Sequence, residues 1–259
     1  MQQRIARELA VVAGCAGAVT ALGGLAFLNV ALPGAAYVAG AERLRRSGTE
    51  WPARRTAAFL AAVVVLAAAT SGAADDRARS ELAWHMAQQM TLLFVVPLGL
   101  IAGRPDALLR RRTSWTPSAA ALAAAWLAAA GIQWVVHIPA VLDALNRRPV
   151  ALGAVHWALL AAGAAFFGCA LAALRSGRFH PLAVALYVVS IMAGTDAIGL
   201  WLIFDPRAVY DGFTVADQHR AGAVMFAAGI VPLLVGAGIA HRWISAGTVG
   251  TLRHPLDLG

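Results

Sequence analysis

Seven long stretches of apolar residues, separated by short polar segments, divide the chain. A bilayer core needs about 20 apolar residues per helix, and each stretch is close to that length. The pattern therefore predicts an all-α polytopic membrane protein, a bundle of about seven transmembrane helices that forms one domain over residues 1–259. The predicted spans are 9–32, 57–74, 83–102, 118–140, 151–174, 181–204 and 220–240.

Two polar segments between the spans bear on the later argument. The charged segment 75–81 predicts a break between the second and third spans. The short segment between Pro139 and Val150 predicts that spans four and five lie close together. Within the third span, Pro97 is expected to bend the helix, because proline has no N–H to donate.

The first apolar stretch has a second interpretation as a secretory signal peptide. Arg4 and Arg7 precede it, and small residues surround Ala39–Ala41. The run from Leu9 to Leu32 is longer than a usual signal core, so a membrane span is the favoured prediction. Cleavage would leave six spans and would not change the side of the later loops.

Composition agrees with a membrane protein. Of 259 residues, 60% are hydrophobic and 13% are charged, which is untypical of a soluble domain. No basic stripe is interleaved with aromatic residues, so the bilayer is an expected partner and nucleic acid is not. Cys15 and Cys169 lie in separate apolar stretches without Cys-x-x-Cys spacing, which indicates neither a disulfide framework nor a thiolate metal site.

The arginines are distributed unevenly between the two sides of the predicted bundle. Cytoplasmic loops of membrane proteins are enriched in Lys and Arg, so the N-terminus is predicted outside and the C-terminus in the cytoplasm. All 21 basic residues are arginines, and thirteen of them share the predicted cytoplasmic side: Arg43, Arg45, Arg46, Arg54, Arg55, Arg104, Arg110, Arg111, Arg112, Arg175, Arg178, Arg242 and Arg253.

Four of the seven histidines lie at predicted outer helix ends: His85, His137, His156 and His219. In the stretch 84–90, His85 and Gln89 share one helix face, as do Met86 and Met90, because residues four apart lie on the same side. Imidazole and thioether groups together suit Cu(I). Taken alone, however, the same residues are also explained as packing and interfacial residues.

Further polar residues in the predicted spans are expected to face the bundle interior, because they are costly in lipid. Gln133 lies one turn before His137, and Asp196 shares a face with Met192. Two interpretations of Asp196 stay open, a buried hydrogen-bonded carboxyl group and a group that handles ions or metal.

The last span begins with a mixed polar segment, 217–220. Gln218, Gly222 and Met225 follow helical spacing, so an amide and a thioether face the same way and glycine permits close approach of another helix. Asp217 is predicted to cap the N-terminus of its own helix.

Three segments of the chain resemble the multi-span bacterial CtaG family of cytochrome c oxidase assembly factors, which differs from the single-span copper chaperone of that name. In family order they are His85-Met86-x-Gln88-x-Met90 with Gly103-Arg104-Pro105, then Trp134-x-x-His137-x-Pro139 with Asp143 and His156, and then Asp217-Gln218-x-x-Ala221-Gly222-x-x-Met225. They cover roughly residues 80–235. This chain has Gln89 where the family often has a second histidine, and Val155 where the family has an acidic residue.

The resemblance implies a non-enzymatic protein of the bacterial inner membrane that helps copper, as Cu(I), reach a maturing cytochrome c oxidase at the outer face. The implied partners are oxidase subunits, with a copper chaperone as a further candidate. The predicted copper-handling residues are His85, Met86, Met90, His137, His156 and Met225. The predicted supporting polar residues are Gln89, Gln133, Asp143, Asp196, Asp217, Gln218 and His219.

Three other functions stay open from the sequence. One is a membrane oxidoreductase that binds haem between histidines of facing helices. Another is a copper or proton transporter whose pathway includes Asp196 and Gln133. The last is a structural membrane scaffold without metal.

Overall fold

The computed structural model describes residues 24–108 and 115–251, and it describes side chains over 31–108 and 115–245. These parts of the chain are helical and contain no β-strand. In chain order the helices are α1 (Gly24–Arg46), α2 (Ala53–Ala69), α3 (Gly72–Ser80), α4 (Leu82–Met90), a π-helical turn (Thr91–Val95), α5 (Val96–Ala102), α6 (Pro105–Leu108), α7 (Ala119–Val136), α8 (Pro139–Asn146), α9 (Pro149–Ser176), α10 (Pro181–Phe204), α11 (Val215–Ala228) and α12 (Ile230–Thr251).

Five described stretches are long and apolar enough to cross a bilayer: Leu82–Leu108, Ala119–Val136, Pro149–Ser176, Pro181–Phe204 and Val215–Ser245. Helices α2 and α3 pass the same test together, with a bend of 54° between them, so the described residues contain five spans, or six if the bent pair is one. These correspond to the predicted spans two to seven. The predicted span 9–32, and with it most of the possible signal peptide, lies largely outside the described residues.

The charged segment 75–81 separates the second and third spans as predicted, because the helix of the third span begins at Leu82 after the extended residue Glu81. Its residues up to Ser80 are nevertheless helical and belong to α3. The Ser71 hydroxyl accepts a hydrogen bond from the Ala74 N–H at 3.2 Å and caps the new helix. The Thr70 hydroxyl donates to the Leu66 carbonyl at 2.8 Å and closes the previous helix. The chain therefore turns between two helices here, and α3 brings charged residues back toward the bundle.

The predicted fourth span, 118–140, is too long at its C-terminal end. Helix α7 ends at Val136, His137 has φ −92° and ψ −1°, and Ile138 is extended. Pro139 does not end this span but begins α8, since proline is favoured in the first turn of a helix. His137 therefore lies at the junction of two helices rather than within one.

The span that contains α4 and α5 changes its helical geometry at its centre. The Val96 N–H donates to the carbonyl of Thr91 in a π-type i→i−5 bond, immediately before Pro97. The backbone of α9 approaches this turn closely. A methyl group added at Gly163 would lie 2.1 Å from the carbonyl oxygen of Leu93.

The remaining spans pack around α10 and α4. Helix α10 packs against both α11 and α12, α4 packs against α11, and α7 packs against α9. The α10–α11 contact depends on two glycines, because a methyl group at Gly222 would lie 2.4 Å from the Gly199 carbonyl oxygen. The predicted close approach of another helix at Gly222 is thus confirmed.

Candidate functional site

The six predicted copper-handling residues are all buried, none with more than 3% of its surface exposed: His85, Met86, Met90, His137, His156 and Met225. They come from α4, the end of α7, α9 and α11. Burial excludes the interfacial role that a histidine at a helix end would ordinarily have. We call His85, Met86, His137 and His156, with Gln89 and Gln133, the histidine layer.

One contact in the histidine layer joins α4 to the end of α7. The Nε2 atom of His137 lies 3.0 Å from the Sδ atom of Met86. The Nδ1 atom of the same ring lies 2.6 Å from the carbonyl oxygen of Gln133. A carbonyl only accepts hydrogen bonds, so Nδ1 must carry the proton. In the neutral ring Nε2 is then an unprotonated lone pair that faces the sulfur.

Two features hold His137 in this neutral, oriented state. The residue lies just beyond the membrane-spanning part of α7, and burial lowers its pKa to about 4, although the Gln133 carbonyl partly opposes this effect. The Tyr210 hydroxyl donates to the backbone carbonyl of His137 at 3.0 Å. Burial raises the pKa of Tyr210, which keeps this donor protonated.

His85 lies next to Met86 on α4, one turn before Gln89. The side-chain amide of Gln89 donates to Nε2 of His85 at 2.6 Å. The Nδ1 atom of His85 has no hydrogen-bond partner among the described residues. His137 and His156 both lie close enough to His85 to interact with it electrostatically. The three imidazoles are therefore neighbours.

His156, on α9, faces α3 across the bundle. Its Nδ1 atom lies 3.9 Å from Oδ1 of Asp75, a distance at which the two form an ion pair only if the ring is protonated. Asp75 also accepts a 2.7 Å hydrogen bond from the side-chain amide of Gln88, which donates in addition to the Ala69 carbonyl. Asp75 therefore links α3 and α4 beside the histidine layer.

Several buried polar atoms of the histidine layer have no hydrogen-bond partner among the described residues. Within the described residues, no hydrogen-bond partner reaches Nδ1 of His85, Oε1 of Gln89, Nε2 of Gln133 or Nε2 of His156. A buried polar atom without a partner costs about 1–3 kcal/mol, and such atoms are rare in native proteins. Their concentration in one layer indicates a place where a ligand or water completes the bonding.

The histidines alone do not make a ligand set. Over residues 24–108 and 115–251, no three His, Cys, Asp or Glu side chains are arranged so that they could hold one metal ion. A metal bound in this layer therefore draws donors from the thioether and amide side chains as well.

The Gln133 amide anchors the layer to α10. Its Oε1 atom accepts a 2.8 Å hydrogen bond from the hydroxyl of Thr195, which is itself completely buried. This bond fixes the rotation of Gln133 one turn before His137. It leaves only the NH₂ group of Gln133 free to meet a ligand.

Five predicted supporting residues have other roles or lie elsewhere, and three of them lie near the loop 205–214. Gln218 is saturated: its NH₂ group donates to the carbonyls of Leu202, Asp205 and Arg207, and its Oε1 accepts from the Val209 N–H. It therefore closes the loop 205–214. Asp143 accepts from the Asp211 N–H at 3.2 Å, and His219 is exposed. Neither contributes a side chain to the histidine layer.

Asp196 faces the α11–α12 junction. A methyl group added at Gly229 would lie 2.9 Å from Oδ1 of Asp196 and 3.2 Å from Cε of Met192. The predicted shared face of Asp196 and Met192 is thus confirmed. The neighbouring Thr195 donates to Gln133 and to the Ile191 carbonyl, and none of the described hydrogen bonds joins it to Asp196.

Asp217 caps a helix, but that helix is not its own. Its carboxylate accepts hydrogen bonds from the N–H groups of Leu82 and Ala83, at the start of α4. The cap of α11 is Thr214, whose hydroxyl accepts from the Asp217 N–H at 3.2 Å. Asp217 therefore positions the helix that carries His85 and Met86.

Three residues of the site escaped the sequence analysis: Asp75, Thr195 and Tyr210. Asp75 was assigned to a break, although Ser71 before it is a helix-capping residue that signals α3. Thr195 and Tyr210 were not singled out because a lone hydroxyl in an apolar or loop segment carries no spacing signal. Their roles depend on which helix lies opposite.

The chain is similar to known proteins over most of its length. The family model described as cytochrome c oxidase caa3 assembly factor (Caa3_CtaG) matches residues 35–246. An uncharacterized protein of Mycobacterium leprae is 24% identical, in a match that covers 78% of this chain and 36% of that protein. The chain thus spans about a third of the length of this curated relative. No solved structure matches the chain.

Proposed function

The chain belongs to the cytochrome c oxidase caa3 assembly factor family, and from this membership we propose that it holds Cu(I) in the histidine layer while an oxidase matures. Membership in a family of assembly factors favours transfer of a cargo over catalysis. In this proposal copper is that cargo, held between delivery and insertion.

The observation that carries the proposal is the approach of Met86 to His137. An imine nitrogen and a thioether sulfur, both lone-pair donors, lie 3.0 Å apart inside the bundle. Two lone pairs that face each other stabilise the fold little unless an electron-pair acceptor lies between or beside them. Nitrogen and sulfur together are the donor set that suits Cu(I), and neither atom has to lose a proton before binding.

The separation of the two donors is close to what a bound ion needs. With metal–nitrogen and metal–sulfur bonds of about 2.0 and 2.3 Å, a tetrahedral ion holds its two donors about 3.5 Å apart. An opening of about half an ångström between α4 and the end of α7 would therefore admit the ion.

His85 and His156 are alternative further donors in this proposal, used one at a time as the ion is passed on, since within the described residues no three histidines could hold one ion together. Nε2 of His156 has no partner among the described residues and is available to the ion. Nδ1 of His85 becomes a lone-pair donor when the Gln89 amide turns so that its Oε1 atom accepts the proton of Nε2. Gln89 binds His85 through Nε2 and so orients the ring. The glutamine at this position thus acts as a support for His85, where a second histidine would act as a ligand. Met90 and Met225, both buried in the core, complete the proposed set.

The arginines support an outer location for the histidine layer. Arg54, Arg55, Arg104 and Arg175 line a common cavity. Met86 and Arg104 are 18 positions apart on one span, which corresponds to about 27 Å of helix. Since arginines favour the cytoplasmic side, we place the histidine layer toward the outer face of the bacterial inner membrane. Oxidase subunits, and a copper chaperone that delivers the ion, are the proposed partners.

Anaerobic titration of the purified chain with Cu(I), against a chromophoric chelator, tests this function. We expect close to one tightly held ion per chain, and a loss of most of this binding in His85→Ala/His137→Ala. The matched control is His180→Ala/His241→Ala, which removes two exposed histidines outside the layer. Unchanged copper content in the first double variant, or equal loss in both, would refute the proposal. A haem absorption band in the purified chain would support the oxidoreductase instead.

A further inference from the structure

The described residues also form a cavity of 510 Å³ at the end of the bundle that lies away from the histidine layer. Helices α2, α5, α9, α10 and α12 all contribute to its wall. His156 and Arg175 lie on the same helix, 19 positions apart, which is about 28 Å. The cavity is therefore separate from the proposed copper site.

One part of the cavity is strongly basic. Four arginines line it: Arg54, Arg55, Arg104 and Arg175. Asp106 pairs with Arg104 at 3.1 Å and with Arg175 at 3.5 Å. Of the described ion pairs, none involves Arg54 or Arg55. Arg55 lies 5.0 Å from the centre of the Trp51 ring, in a cation–π contact that leaves its charge uncompensated.

These positive charges act on one another. Arg55 and Arg104 both lie close enough to Arg175 to interact with it electrostatically. With one carboxylate for four guanidinium groups, the local balance is three positive charges. Grouping like charges beside an apolar surface is unfavourable unless an anion joins them. Guanidinium groups bind phosphate through planar, bidentate hydrogen bonds.

The rest of the wall is apolar. Leu98, Ile101, Phe167, Leu171, Val235 and Ile239 line the cavity below the arginines. A free phosphate ion would use the arginines and leave this apolar part empty. A molecule with an anionic head and a hydrocarbon chain matches both parts of the wall.

We propose that this cavity binds one anionic phospholipid of the surrounding leaflet, with its phosphate among the four arginines and an acyl chain between α5, α9 and α12. The charge complementarity of the basic end and the apolar wall at bilayer depth both favour this occupant. The bound lipid would join α2 to α5 and α9 at the arginine end of the bundle. This inference does not depend on the copper proposal.

Native mass spectrometry of the full chain in detergent tests the inference. Phosphatidylglycerol and phosphatidylcholine with identical acyl chains are titrated separately. We expect selective retention of phosphatidylglycerol. Its affinity should be about 30-fold lower in Arg54→Gln/Arg55→Gln, because this variant removes two of the basic groups that attract the anionic lipid. The matched control is Arg178→Gln, an exposed arginine outside the cavity, which should bind as the unchanged chain does.

A second variant separates a lipid from a free anion. Ala102 lines the cavity and is exposed at its mouth, so Ala102→Phe narrows the apolar part and keeps all four arginines. We expect this variant to lose phosphatidylglycerol binding. Equal retention of the two lipids, no effect of Arg54→Gln/Arg55→Gln, or binding of inorganic phosphate with no loss of lipid in Ala102→Phe would each overturn the inference. Copper titration of the same variants should be unaffected.

Discussion

The imidazole of His137 and the thioether of Met86 face each other at 3.0 Å, with the ring proton on the opposite nitrogen. Two electron-pair donors are thus brought into contact in the buried interior of the bundle. Helix α4 supplies one and the end of α7 the other. The relationship depends on the carbonyl of Gln133, which determines where the proton of His137 lies.

Replacing Met86 with leucine isolates the chemical contribution of the sulfur. Leucine is nearly equal in volume, so the free energy of unfolding should fall by less than about 1.5 kcal/mol. The affinity for Cu(I) should fall about tenfold or more, because the soft donor is lost. Competition titration with a Cu(I) chelator measures the change. Met192→Leu is the control, since Met192 faces Gly229; equal affinity in the two variants would argue against a role for Met86.

Gly163→Ala tests the close contact between α9 and the π-helical turn. The added methyl group would meet the Leu93 carbonyl oxygen at 2.1 Å, so the helices must separate, at a cost of about 1–3 kcal/mol. Thermal unfolding in detergent should show a lower midpoint. Gly168→Ala, on the same helix with no atom within 4 Å of the added carbon, should be neutral or stabilising by up to about 1 kcal/mol. A similar midpoint for both variants would show that the contact is not tight.

Thr195→Val removes the hydroxyl that binds Gln133. The Oε1 atom of Gln133 would be left buried without its donor, which should destabilise the fold by about 1–3 kcal/mol. Thr195→Ser keeps the hydroxyl and should restore most of that stability. The measurement is again thermal unfolding of the purified chain. If serine and valine destabilise equally, the loss comes from packing and the hydrogen bond is unimportant.

Asp217→Ala should loosen the helix that carries His85 and Met86. The N–H groups of Leu82 and Ala83 lose their acceptor, and loss of such a cap costs about 0.5–2 kcal/mol. Asp217→Asn retains an oxygen acceptor and should recover part of that stability. Hydrogen–deuterium exchange of residues 82–86 reports the change directly. Faster exchange confined to α11 would instead assign Asp217 to its own helix.

Much of the fold could be predicted because hydrophobic length is a property of each segment alone. The apolar runs near 83–102, 151–174 and 181–204 lie within helices of the structure. The sequence places His85, His137 and His156 near span ends but does not predict their burial, because a histidine at a helix end ordinarily has an interfacial role and His219, of the same set, is exposed. The spacing of Gln218, Gly222 and Met225 correctly indicated a buried helix face.

What escaped prediction depends on partners that are distant in sequence. The charges of 75–81 favoured a polar break, yet Asp75 is half-buried because Gln88 and His156 lie opposite it. Local spacing predicts that Asp217 caps its own helix. Its carboxylate oxygens instead accept hydrogen bonds from the first N–H groups of α4. A local pattern identifies a capping residue but does not reveal which helix will be brought to it.

X-ray absorption at the copper edge of the chain loaded with one Cu(I) tests the central claim most directly. The account predicts a first shell of nitrogen and sulfur, with a sulfur contribution at about 2.3 Å that is lost in Met86→Leu and kept in Met192→Leu. A shell of nitrogen and oxygen alone, identical in the two variants, would contradict it.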